Sequence, residues 1–141
     1  MATIEKFEDI ISWQEARKLN SIVGELIDSG RFKKSYTLIN QVESSAGSIM
    51  DNIAEGFERN GNNEFKQFLY IAKGSCGELR SQLYRALDRN YITSEEFEKF
   101  TNHAKKISGL IQKLINYLEA SGLKGPKYKN RNSPPSSTDQ S

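Results

Sequence analysis

Apolar residues recur in steps of three and four along most of the chain, and no stretch alternates in the manner of a strand. That spacing lines side chains along one side of a 3.6-residue helix. Ile39, Val42, Ala46, Ile49, Ile53 and Phe57 make one such stripe. Phe65, Leu69, Ala72, Cys76, Leu79, Leu83 and Ala86 make the next. Between them Asn60, Gly61, Asn62 and Asn63 break the period with turn-forming residues. So short a link folds two helices back as antiparallel neighbours. Pivoting on Gly61 sets Ser44, Ser45, Ala46, Gly47 and Ser48 opposite Gly74, Ser75, Cys76 and Gly77. Small residues facing small residues predict a narrow waist, whose close contact offsets the ~0.5–1 kcal/mol each helical glycine costs against alanine. The alternative is a glycine that simply faces solvent.

The flanking segments complete the pattern. Trp13, Ala16, Leu19, Val23 and Leu26, with Ile22 and Ile27 beside them, predict a helix over about 12–29. Ser12 and Glu15 have the spacing of a capping box, and Ile11 and Ala16 that of a hydrophobic staple. Ser29 and Gly30 end it. Residues 1–11 read as an extended lead-in or a single turn. The next two helices cover about 35–59 and 63–89. A fourth, over 93–121, opens with Thr93 and Glu96 as a second capping box and Ile92 and Phe97 as its staple. Phe97, Phe100, Ala104, Ile107, Ile111, Leu114 and Leu118 continue it as a heptad seam, the pattern of helices crossing at about 20°. Ser121 and Gly122 stop it. The pattern predicts an all-α, antiparallel up-down-up-down four-helix bundle over 1–121. Residues 122–141 carry prolines, serines and charge without a period and read as a disordered tail.

Composition narrows the function classes. Of the 141 residues 27% are charged, yet the net charge is only +2, so no strong overall field draws nucleic acid or membrane. A single cysteine precludes an internal disulfide and fits a reducing cytosol. The first ten residues lack the layout of a secretory signal, and no apolar run approaches the ~18 residues of a membrane span. A soluble cytoplasmic protein is expected.

Candidate chemistry is sparse. Di-metal sites in helical bundles draw on several inward carboxylates and usually two histidines. This chain has only His103, beside seam residue Ala104, and it reads as a surface residue. Cys76 lies on a core stripe and reads as a small buried thiol rather than a nucleophile. Phosphate-binding, dinucleotide-binding, zinc-protease and nucleophile-elbow motifs are absent. The residues predict no enzyme, no metal and no cofactor.

Surface patterning is more informative. Lys66, Tyr70, Lys73, Gly77, Arg80 and Tyr84 form a second stripe on the third helix, and Arg85 and Arg89 extend its charge. Alternating cations and aromatics suit phosphates and stacked bases. Asp51, Glu55 and Glu58 make an acidic stripe on the second helix, with Glu55 expected near Lys66. Three readings stay open: ion pairs within the chain, a face packed on another subunit, and a nucleic-acid groove. Opposite stripes on different faces also suit head-to-tail contacts that close into rings.

Ser48 and Ile49, then Asn52-Ile53-Ala54-Glu55-Gly56 and Arg59, form a specific run. It continues through Phe65, Phe68-Leu69, Ile71-Ala72, Gly74-Ser75 and Glu78-Leu79, with Trp13, Ala16 and Gln41 upstream. Across roughly residues 7–118 the chain resembles the bacterial four-helix-bundle family of proteins encoded in intervening sequences of 23S ribosomal RNA genes. The resemblance implies an antiparallel bundle and a homo-oligomer, with ring-shaped pentamers among relatives. More distantly it implies a likeness to accessory proteins of diversity-generating retroelements, which bind a reverse transcriptase and nucleic acid. It brings no catalytic residue. Asn52, Glu55, Gly56, Arg59, Ser75 and Glu78 are its motif positions in this chain. Asn52 and Glu55 share a helix face, which predicts either a buried polar clamp that fixes register or a partner contact. The residues and the resemblance together predict a non-enzymatic oligomeric interaction module with RNA or DNA as partner. The rival is a protein-binding adaptor, such as a reverse transcriptase accessory subunit. The basic tail residues Lys124, Lys127, Lys129 and Arg131 would add to a phosphate grip.

Overall fold

The computed structural model describes residues 4–121, and four long helices account for most of them. They are α1 (Ile11–Asp28), α2 (Tyr36–Glu58), α3 (Asn62–Asp88) and α4 (Ser94–Ser121), preceded by one 3₁₀ turn at Phe7–Asp9. α1 packs on α2 and α4, and α3 packs on the same two, so the helices stand in a square with touching neighbours. Short links make each neighbour antiparallel. The predicted tail at 122–141, with Gly122, Lys124, Lys127, Lys129 and Arg131, lies outside the described residues. No described helix is long and apolar enough to cross a membrane.

The core is the predicted set of stripes closed on one another. Leu19, Val42, Ile49, Ile53, Leu69, Leu79, Leu83, Ile107, Ile111 and Leu118 are all at or near zero exposure. Burying an aliphatic side chain stabilises by roughly 1.5–3 kcal/mol, so these positions dominate the folding free energy. Phe32, in the link from α1 to α2, is fully buried and packs its ring 5.5 Å from that of Tyr91 in the link from α3 to α4. The Tyr91 hydroxyl meets Ser35 Oγ at 2.6 Å, which pins the two links at one end of the bundle. Gly30 (φ 81°) ends α1 in the left-handed region, where the absence of a Cβ removes the strain.

α4 starts as the sequence predicts: the Thr93 N–H donates to Glu96 Oε1 at 2.9 Å, and the Glu96 N–H donates to Thr93 Oγ1 at 3.1 Å. α1 does not. It begins one residue earlier, Ser12 is buried with its hydroxyl unpartnered, and Ile11 stands 60% exposed, so neither box nor staple forms. Glu15 turns away from Ser12 because His103 and Lys106 on α4 and Lys18 on its own helix offer it partners. His103 is accordingly a half-buried link between α1 and α4 rather than a bare surface residue.

The narrow waist also needs correcting. The predicted register holds, since Ser48 and Ser75 share a hydrogen bond of 2.9 Å between α2 and α3. Yet a Cβ on Gly74 or Gly77 would meet nothing within 4 Å, and one on Gly47 would meet only Asn20 Oδ1 of α1 at 3.8 Å. Close approach occurs instead at Gly56, where an added Cβ would lie 2.7 Å from Phe68 Cβ and 3.3 Å from the Phe65 carbonyl oxygen. Near the tight turn the two helices have not yet diverged, and the aromatic pair leaves no room there. At the level of the serines the gap is filled by hydroxyls, Gly47 faces α1, and Gly74 and Gly77 turn outward.

Candidate nucleic-acid interface

The outer side of α3 divides into two flanks, set by what each touches. On the flank toward α4, the Tyr84 ring rests against Phe97 with centroids 4.6 Å apart, while Tyr84 stays 55% exposed. Lys66, Tyr70, Lys73, Gly77 and Arg80 follow on the same side at helical spacing, with Tyr70 50% exposed and the three cations half-buried. Their aliphatic stems lie along the helix and their charges reach solvent. None of Lys66, Lys73 or Arg80 forms an ion pair among the described residues. The expected pair between Glu55 and Lys66 is absent, because Glu55 takes Arg59 Nη2 at 2.8 Å one turn along its own helix.

Arg85 and Arg89 do not join this stripe. Arg85 donates to Gln41 Oε1 of α2 at 2.8 Å, on the opposite flank, and Arg89 sits 5.1 Å over the Tyr91 ring. One hundred degrees per residue carries Arg85 away from Tyr84, so adjacency in sequence does not extend the patch.

Part of the motif meets on that second flank, along the crossing of α2 and α3. Asn52 Nδ2 donates to the Ser48 carbonyl and hydroxyl, both at 2.8 Å, and Ser48 in turn bonds Ser75. Arg59 lies 5.0 Å over the Phe68 ring, directly beside the Gly56 contact. The clamp is therefore Ser48, Asn52 and Ser75. Glu55 is not buried within it: its side chain is 54% exposed, and Glu78 is exposed as well.

Burial pushes the Cys76 thiol up to about 12, against the weaker opposing pull of Lys73 and Arg80. Among the described residues no group of three or more histidine, cysteine or carboxylate side chains could hold a metal ion. Sequence reasoning missed Phe97 as the brace behind Tyr84, and the partnership of His103 with Glu15. A fold-back about Asn90 pairs positions 84 and 97 and contained the first signal. The second had none, since it joins the first helix to the last.

Comparison with known proteins places this architecture. The model of the 23S rRNA-intervening sequence protein family matches residues 8–113. The chain belongs to that family. A crystal structure from Bacteroides thetaiotaomicron, of a protein with unknown function in the S23 ribosomal protein family, superposes with a TM-score of 0.70 at 23% identity. It covers 74% of this chain and 98% of its own, a likeness that shows the shared fold. No functionally curated protein matches the chain.

Proposed function

We propose that this member of the 23S rRNA-intervening sequence protein family is a non-enzymatic, cytoplasmic interaction module that self-associates and holds nucleic acid along α3. The observation that carries the reading is the run of Lys66, Lys73 and Arg80, without carboxylate partners among the described residues and interleaved with exposed Tyr70 and Tyr84. Cations left uncompensated on one helix side attract phosphate, and tyrosines between them offer faces for bases. The buried Cys76 thiol and the engaged His103 support a non-enzymatic role. Self-association draws support from the exposed acidic stripe of Asp51, Glu55 and Glu58 on α2, a different face from the cations, which suits head-to-tail contacts and a ring such as a pentamer.

The experiment is direct. Purified protein should carry excess absorbance at 260 nm, and its affinity for RNA or DNA should weaken steeply with salt. Light scattering should give a multiple of the 16.0 kDa chain mass. Clean protein with no salt-sensitive binding sinks the nucleic-acid part.

A second reading, a protein-binding adaptor, is favoured by Ile71. It is 52% exposed on the flank toward α2, and Gly74 beside it leaves open space. A reverse transcriptase is the partner that the family resemblance would imply.

A further inference from the structure

Resting on the nucleic-acid reading, we propose that the ligand of the α3 face is a single strand rather than a duplex. The outermost ridge of α3 runs Tyr70, Gly74, Gly77, Ser81, Tyr84, with steps of four and three that keep all five on one line. The two tyrosines close the ends of this line, and at a rise of about 1.5 Å per residue they stand roughly 21 Å apart. Between them lies a saddle: Gly74 and Gly77 are exposed, and nothing stands within 4 Å of where a Cβ would be. Neither glycine is explained by packing inside the chain, and each weakens an exposed helix by about 0.5–1 kcal/mol against alanine.

The elements of the ridge match an unpaired strand. Tyr84 is braced by Phe97 at 4.6 Å, which holds its ring in place while more than half of it remains exposed. A fixed ring is a stacking platform, and every base has a face to lay on it. In a duplex those faces are hidden in the stack, and sequence is reached only by an element that enters a groove. The glycines at the centre of the ridge carry no side chain with which to read base edges in a groove. The saddle lets a sugar-phosphate backbone settle against the helix, within reach of Lys66, Lys73 and Arg80 along one edge.

The test is fluorescence anisotropy with a labelled mixed-sequence oligonucleotide of about 12 residues, within the ~4–16 nucleotide span of known single-strand sites, used alone and annealed to its complement. RNA and DNA forms are both run. The single strand should bind at least about tenfold tighter than the duplex. Tyr70→Ala and Tyr84→Ala should each weaken single-strand binding about 5- to 100-fold and leave duplex binding unchanged. Tyr84→Phe should restore it, and Lys73→Ala should weaken both forms and flatten the salt dependence. Equal or tighter duplex binding, or tyrosine variants with undiminished single-strand affinity, overturns this inference while the proposed function stands. Failure to bind either form overturns the inference and the nucleic-acid part of the proposed function together. Tyrosine variants that change the mass in light scattering but not the affinity make the ridge a subunit contact and overturn the inference as well.

Discussion

Arg31 and Glu96 face each other fork to fork at one end of the bundle, Nη1 to Oε2 at 2.7 Å and Nη2 to Oε1 at 2.5 Å. The same carboxylate accepts the Thr93 N–H at the start of α4, so one side chain caps a helix and ties it to the link after α1. Charge-assisted bidentate bonds of this kind are short and orientation-specific.

The Arg31 guanidinium and the Thr93 N–H hold the Glu96 carboxyl down at about 2, from an ordinary value of 4.5. A carboxylate depressed by folding stabilises the protein fully above its unfolded pKa and loses that stability as pH falls through the folded value. Thermal midpoints should therefore drop between about pH 4.5 and 2, and Glu96→Gln should flatten that drop. Thr93→Ala should cost about 1 kcal/mol at neutral pH. Circular dichroism melts across pH check both, and parallel profiles for Glu96→Gln and the parent would discount the pair.

Two glycine substitutions should move stability in opposite directions. Gly56→Ala forces a methyl to within 2.7 Å of Phe68 Cβ and should destabilise by about 1–3 kcal/mol. Gly77→Ala meets nothing and should stabilise by about 0.5–1 kcal/mol. Urea titrations of the two variants decide it, and a neutral Gly56→Ala would mean that α2 and α3 part easily there.

Glu15 accepts from His103 Nε2 at 2.9 Å, and that bond, opposed by burial and aided by Lys18 and Lys106, lowers its pKa. Its contribution should be present above pH 4.5 and fade below, as the lowered folded value is passed. A double-mutant cycle with Glu15→Gln and His103→Ala should give a coupling of about 0.5–1.5 kcal/mol at pH 7. Additive losses would show that the two side chains act separately.

Cys76 is 1% exposed with its thiol raised to about 12, so almost no thiolate exists at neutral pH. An aromatic disulfide reagent should leave the native protein unmodified and react promptly in denaturant. Rapid labelling of the folded form would reveal an opening of α3 that exposes the core.

The same kind of signal succeeded at one helix start and failed at another. Thr93 and Glu96 form their box because α4 begins at the bundle end, where Arg31 binds the Glu96 carboxylate without drawing it from Thr93. Ser12 and Glu15 have the same spacing, but α1 enters the core so early that Ser12 is buried and Glu15 is drawn to α4. In the candidate interface, Lys66, Tyr70, Lys73, Arg80 and Tyr84 were legible from helical spacing alone. Arg85 and Arg89 were not separable from them until Gln41 and Tyr91 were seen to claim them.

The order of residues by itself determined four helices, their stripes, their antiparallel sequence and the register of Ser48 on Ser75, because 3.6-residue periodicity and short links are local properties of the chain. Tertiary structure alone decided that the close contact lies at Gly56, that Gly74 and Gly77 face outward, that His103 serves Glu15, and that Phe97 braces Tyr84. Each of these depends on how far apart two helix axes run at a given level, and that distance is set by every side chain packed between them.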